Sequence, residues 1–131
     1  MPVIQGIHHV TLTVSDIDAS IDWYRDVLGL KPGARSQENR LDKARLRDPR
    51  SGVVVVLVTH EEPADVDGFD PRRVGLDHVS FAVSDRNALV AWQAKLDTAH
   101  VSHSGIKSGS MGDLICFRDP DGIAVELYTL S

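Results

Sequence analysis

The sequence predicts an α+β fold built as two tandem modules, each running strand–helix–strand–strand–strand. Two observations carry this prediction. The first is an internal repeat. Residues 6–16 (G-I-H-H-V-T-L-T-V-S-D) and 75–85 (G-L-D-H-V-S-F-A-V-S-D) share Gly, His, Val, Val, Ser and Asp at a constant offset of 69, and Trp23 pairs with Trp92 at the same offset. A second block follows in the same order: Arg47-Asp48-Pro49 matches Arg118-Asp119-Pro120 at an offset of 71, and after a one-residue gap Gly52 matches Gly122 at 70. The second observation is hydrophobic periodicity, which passes from two to about 3.6 at the same place in each repeat.

Each element follows from local pattern. Val10, Leu12 and Val14 alternate with His9, Thr11 and Thr13, the signature of a half-buried strand, and Val79, Phe81 and Val83 alternate with His78, Ser80 and Ala82. A Ser-Asp pair then offers a helix N-cap. Ile17, Ile21, Tyr24 and Leu28 recur at helical spacing before Gly29, and Leu89, Trp92 and Leu96 do the same in the second module. Polar segments follow (31–40 and 100–110). A hairpin closes each module: 43–47 and 53–59 around Asp48-Pro49, then 114–118 and 123–129 around Asp119-Pro120-Asp121-Gly122. Proline fixes φ in such turns and glycine accepts positive φ. The chain (1–131) reads as one domain, with module 1 at about 5–60, a polar linker at about 61–74 and module 2 at about 75–130.

Composition excludes several classes of function. With 131 residues, 42% hydrophobic and 25% charged, the chain can bury a core. A formal net charge of −5 without a Lys/Arg block argues against nucleic acid and anionic membrane as partners. The longest apolar run, Val53 to Val58, is far too short to span a membrane. The opening Met-Pro-Val-Ile-Gln-Gly lacks a signal-peptide pattern, and the single cysteine, Cys116, leaves no internal disulfide or cysteine-based zinc site. A cytoplasmic protein is expected.

The alternation also selects a site. Apolar residues of each first strand take the core face, so His9 and His78 take the other, at equivalent repeat positions. In the last strand Val125 and Leu127 face the core, which turns Glu126 and Tyr128 the opposite way. A carboxylate inside the apolar run Ile-Ala-Val-Glu-Leu-Tyr requires a cation or a solvent-filled cavity. Two imidazoles and one carboxylate on one concave surface describe a facial site for one divalent ion, Fe(II), Mn(II), Ni(II), Co(II) or Zn(II), with open positions for a small-molecule substrate. His8 competes with His9, but it falls on the Val10 face and its repeat counterpart is Asp77, so His9 is preferred.

Other features receive plainer readings. His60, on the Val56 and Val58 face, and Tyr128 are weak candidates for a catalytic acid or base near the rim. Trp23 and Trp92 read as packing residues, and Cys116, between Ile115 and Phe117, as a small core residue. The Gly/Ser-rich segment 103–112 reads as a mobile lid or a flexible connection. Asp65-Val66-Asp67-Gly68-Phe69-Asp70 resembles part of a calcium loop but lacks the terminal Glu, with Leu76 in that place, and reads as linker.

The run from His9 to Asp16, followed by Trp23-Tyr-Arg-Asp-Val-Leu-Gly-Leu, resembles the opening of a vicinal oxygen chelate module. Phe117-Arg-Asp-Pro-Asp-Gly-Ile-Ala-Val-Glu-Leu resembles its closing strand. The family is the glyoxalase, bleomycin resistance and extradiol dioxygenase superfamily, and the resemblance covers nearly the whole chain. It implies paired βαβββ modules forming a half-open barrel around a divalent metal held by His9, His78 and Glu126. It also implies a homodimer, in which ligands can come from different chains. Departures narrow the activity. Glyoxalase I members use a fourth ligand where this chain has Val56. Fosfomycin-modifying members, which share a threonine at the Thr11 position, continue into an anion-binding arginine, and no Arg follows Arg118. Extradiol-type oxygenation therefore leads over lyase or isomerase chemistry. The alternative from another class is a protein that sequesters a small molecule without catalysis.

Overall fold

The computed structural model describes residues 1–64 and 68–130. The chain divides into two compact units, Met1–Val66 and Asp67–Ser131. Of the acidic run with calcium-loop character, Asp65 and Asp67 lie outside the described residues.

The first unit contains β1 (Val10–Thr13), α1 (Ile17–Asp26), β2 (Lys31–Glu38), β3 (Leu41–Arg47) and β4 (Val54–His60). Its sheet runs β1-β4-β3-β2, with β1 parallel to β4 and the other neighbours antiparallel. Asp16 caps α1, its carboxylate accepting from the Ala19 N–H at 3.1 Å. The helix stops where Gly29, at φ 75°, donates its N–H to the Arg25 carbonyl. Ile17, Ser20, Tyr24 and Val27 bury one helical stripe, and Leu46, Val55 and Leu57 are fully buried in the sheet.

The second unit repeats the plan with β5 (Val79–Val83), α2 (Arg86–Thr98), β6 (Lys107–Ser108), β7 (Asp113–Arg118) and β8 (Ala124–Thr129). Its sheet runs β5-β8-β7-β6, with β5 parallel to β8. Asp85 caps α2 through the Ala88 N–H at 3.0 Å. Leu89, Leu96, Ile115, Val125 and Leu127 form the core.

The one-residue gap in the repeat has a structural cause. Gly52 donates its N–H to the Asp48 carbonyl four residues back, whereas Gly122 reaches the Asp119 carbonyl three residues back. The first turn simply holds one residue more. Both glycines sit at positive φ, 80° and 78°, where a side chain is strained.

The polar segment before β7 differs from the lid or loose connection expected of it. His103 bridges to Phe117, β6 pairs with β7, and Ser104 exchanges hydrogen bonds with Cys116. The Met111 N–H donates to the Tyr128 hydroxyl at 3.1 Å. Gly109 lies so close to that hydroxyl that a Cβ there would overlap it. The Gly/Ser composition serves close backbone approach along a sheet edge, which leaves no apolar alternation to read.

Candidate functional site

Register fixes the faces of the second unit. Val125 and Leu127 are buried at 1% and 2% exposure, so Glu126 and Tyr128 project from the opposite face of β8. Ser80 of β5 and Cys116 of β7 flank Glu126 as its cross-strand partners. His78, two residues before Ser80, leads into β5, and its Nε2 lies 3.3 Å from Glu126 Oε1. The Glu126 side chain is only 14% exposed, against 45% for His78. The carboxylate therefore meets a partner at the point where the sequence demanded one.

On its other side His78 Nδ1 lies 2.7 Å from Asp77 Oδ1. This contact does most to raise the His78 pKa above its ordinary value. Burial opposes the rise and the Glu126 charge adds to it. With Nδ1–H donated to Asp77, Nε2 is the nitrogen left to bind an ion. An outer carboxylate of this kind fixes both tautomer and ring orientation.

His9 belongs to the first unit and precedes β1. Its Nδ1 lies 2.8 Å from His8 Nδ1, with the two rings edge to face and their centroids 5.1 Å apart. This corrects the expectation that His8 points to the opposite face. Strand geometry begins at Val10, so alternation does not govern residues 8 and 9. His8 and Asp77 correspond in the repeat, and each engages Nδ1 of the histidine that follows it. Their shared offset of 69 is the sequence signal for this orienting role.

The first unit places Val56 where the second has Glu126. Thr11 and Val56 are register partners, as Ser80 and Glu126 are, and Arg45 occupies the place of Cys116. His60 sits exposed at the end of β4, in a cleft of about 470 Å³ shared with Arg40, Asp42 and Glu61. Tyr128 is half-buried, its hydroxyl oxygen already accepting from Met111. Trp23 packs edge-on against Tyr24, and Lys95 Nζ lies 5.0 Å from the Trp92 ring centroid, in keeping with packing roles.

Cys116 is not the core residue expected. It is half-buried, and its Sγ lies 3.8 Å from Glu126 Oε2. Ile115 and Phe117 take the core face of β7, which turns the thiol to the Glu126 face.

Thus His78 and Glu126 come together, while His9 stands in the other unit beside His8. Among the described residues no three His, Cys, Asp or Glu side chains form a cluster that could hold a metal. The His78–Glu126 pair still suits a metal by donor chemistry. An imidazole nitrogen with a carboxylate oxygen is the mixed set that borderline divalent ions take. Donors each about 2.1 Å from one tetrahedral ion stand about 3.4 Å apart, close to the separation seen here.

The family model for the glyoxalase/bleomycin resistance protein/dioxygenase superfamily matches residues 6–127. The chain belongs to this superfamily. Among its relatives is the putative ring-cleaving dioxygenase MhqA of Bacillus subtilis (strain 168), 27% identical over 122 residues. That match covers 91% of this chain and only 38% of the relative's length. The metallothiol transferase FosB of Staphylococcus saprophyticus subsp. saprophyticus is 30% identical, with coverage of 97% and 78%. A crystal structure of a glyoxylase/bleomycin resistance protein/dioxygenase domain from Frankia sp. EAN1pec superposes with a TM-score of 0.88 at 33% identity, covering 97% of this chain and 93% of that one. The two-module α+β architecture is thus that of the superfamily, and its relatives at low identity include enzymes. In the described residues no helix is long and apolar enough to cross a membrane.

Proposed function

We propose that the chain is a divalent-metal-dependent enzyme that takes a small substrate through two adjacent oxygens, with His9, His78 and Glu126 as metal ligands. The observation that carries this reading is the His78 Nε2 to Glu126 Oε1 approach of 3.3 Å, with Asp77 holding Nδ1. Such a pair presents a lone pair and a negative charge to one point. His9 has its Nδ1 occupied by His8 in the same manner, which likewise leaves Nε2 available.

Ring-cleaving oxygenation leads over lyase or isomerase chemistry. A three-residue ligand set, with Val56 in place of a fourth donor, keeps several coordination positions open. The likeness to a ring-cleaving relative points the same way. When bound, the ion (Fe(II), Mn(II), Ni(II), Co(II) or Zn(II)) would act as a Lewis acid toward the two substrate oxygens. The protein's own part is to fix the imidazoles through His8 and Asp77 and to shield the Glu126 carboxylate from water. Tyr128, on the Glu126 face, keeps a proton to donate because its oxygen accepts from Met111. His60 is a second candidate acid or base. The working form would be a cytoplasmic homodimer.

Elemental analysis of protein purified without an affinity tag tests the reading, with Glu126→Gln as the comparison. About one divalent ion per chain is expected in the parent. The variant is expected to bind at least roughly a hundredfold more weakly, having lost the charge but not the shape. A parent that binds no divalent ion under any condition overturns the reading, and sequestration of a small molecule without catalysis takes its place.

A further inference from the structure

The polar network on the Glu126 face does not end at the carboxylate. Glu126 Oε1 faces His78, while Oε2 faces the Cys116 thiol at 3.8 Å. Cys116 and Glu126 are direct cross-strand partners in the β7–β8 register, the arrangement in which side chains approach most closely. The thiol is also held in place by its backbone. The Cys116 N–H donates to Ser104 Oγ at 2.9 Å, and its carbonyl accepts from the Ser104 N–H at 2.9 Å. Ser104 thus grips both polar groups of the Cys116 peptide from the edge segment.

That edge segment is anchored in turn. The Gly105 N–H donates to His103 Nδ1 at 3.0 Å, so His103 Nε2 carries the proton and donates to Asp97 of α2 at 2.6 Å. These two bonds orient the His103 ring between the edge segment and α2. A continuous path therefore runs from α2 through His103, Ser104, Cys116 and Glu126 to His78 and Asp77, all within one unit.

We infer that Cys116 is a positioning residue for Glu126: its S–H donates to Oε2 and leaves Oε1 as the single oxygen presented beside His78 Nε2. A carboxylate with both oxygens free can rotate and bind an ion through either or both. A donor fixed on one oxygen removes that freedom before the ion arrives. A thiol is a weak donor, so the control is orientational rather than a large change in charge. In the first unit the same two positions hold Arg45 and Val56. Neither a thiol nor a carboxylate is present there, so the pairing is confined to the unit that carries the glutamate.

The consequence for metal affinity rests on the metal-centre reading above, whereas the hydrogen bond itself is independent of it, and two measurements separate them. The first is the infrared S–H stretch of the metal-free protein, which reports Cys116 alone because the chain has one cysteine. It is expected at lower frequency than a free thiol, and Glu126→Ala should return it to the free value. A parent band already at the free-thiol position overturns the inference whatever the metal content. The second is calorimetric affinity for Mn(II) in the parent, Cys116→Ala and Cys116→Ser, with thermal melting as the control for folding. Cys116→Ala should bind roughly tenfold more weakly at unchanged melting temperature, by analogy with the removal of other outer partners. Cys116→Ser, which restores an O–H donor, should recover most of that loss. Equal affinity in all three overturns the positioning role. So does a sulfur-to-metal charge-transfer band on Co(II) loading, which would make the thiol a ligand. A parent that binds neither ion, but shows the lowered S–H band, sinks the metal reading while still supporting the bond to Glu126.

Discussion

His78 stands between two carboxylates, with Nδ1 2.7 Å from Asp77 Oδ1 and Nε2 3.3 Å from Glu126 Oε1. In the metal-free protein this favours the imidazolium, and the pKa is raised, chiefly by the Asp77 hydrogen bond. The linkage to stability has a definite sign. A histidine whose pKa is higher folded than unfolded contributes stability that is complete below its ordinary value of about 6.5 and is lost as pH rises through the folded value. NMR titration of the chelator-treated protein should place His78 above 6.5, and Asp77→Asn should bring it back down. A His78 titration at or below the ordinary value in the parent would contradict this geometry.

Asp77→Asn should also weaken metal binding while leaving the fold intact. Asp77 is exposed and carries no core packing, so its loss costs the orientation of His78 rather than stability. Outer carboxylates on metal-bound histidines are typically worth about 10- to 100-fold in affinity. Isothermal titration with Mn(II), alongside circular dichroism, checks both halves. His8→Ala is expected to act in the same direction through His9, and so cannot serve as a neutral control.

Part of the candidate site is legible in the sequence because Glu126 lies on a strand, whereas His9 and His78 stand just before theirs. Period-two alternation alone turns Glu126 away from Val125 and Leu127, and the repeat makes His78 the sequence equivalent of His9. The expectations that fail do so for different reasons. His8 and His9 precede β1, so their rings meet instead of pointing apart. Cys116 looked apolar by its neighbours, yet the same alternation that buries Ile115 and Phe117 puts it beside Glu126. Segment 103–112 is held by backbone and hydroxyl hydrogen bonds to distant residues, and these leave no hydrophobic pattern in the local sequence.

The first unit should carry a self-association surface. Val3, Ile4 and Ile7 are 73%, 90% and 92% exposed within five residues of chain. A cluster of large apolar side chains left in water is unfavourable unless another surface covers it. We expect a homodimer by light scattering at micromolar concentration. The double variant Ile4→Asp/Ile7→Asp should shift it toward monomer, because each introduced charge would be desolvated at the contact. An unchanged mass in that variant would place the contact elsewhere.

Gly109 and Tyr128 supply the test of how segment 103–112 is built. A Cβ at position 109 would overlap the Tyr128 hydroxyl and approach Leu114 Cδ2 to 2.9 Å. The ring cannot retreat freely, because Tyr128 is half-buried and its oxygen accepts from the Met111 N–H. Gly109→Ala should therefore destabilise by about 1–3 kcal/mol, the usual range for overpacking. That is opposite in sign to the gain of a few tenths to 1 kcal/mol that Gly→Ala brings at an unstrained site. Tyr128→Phe removes the clashing oxygen as well as the hydrogen bond, so Gly109→Ala should cost less in that background. Chemical denaturation of the two single variants and the double variant gives the coupling directly. Strict additivity would mean that position 109 does not rest on Tyr128.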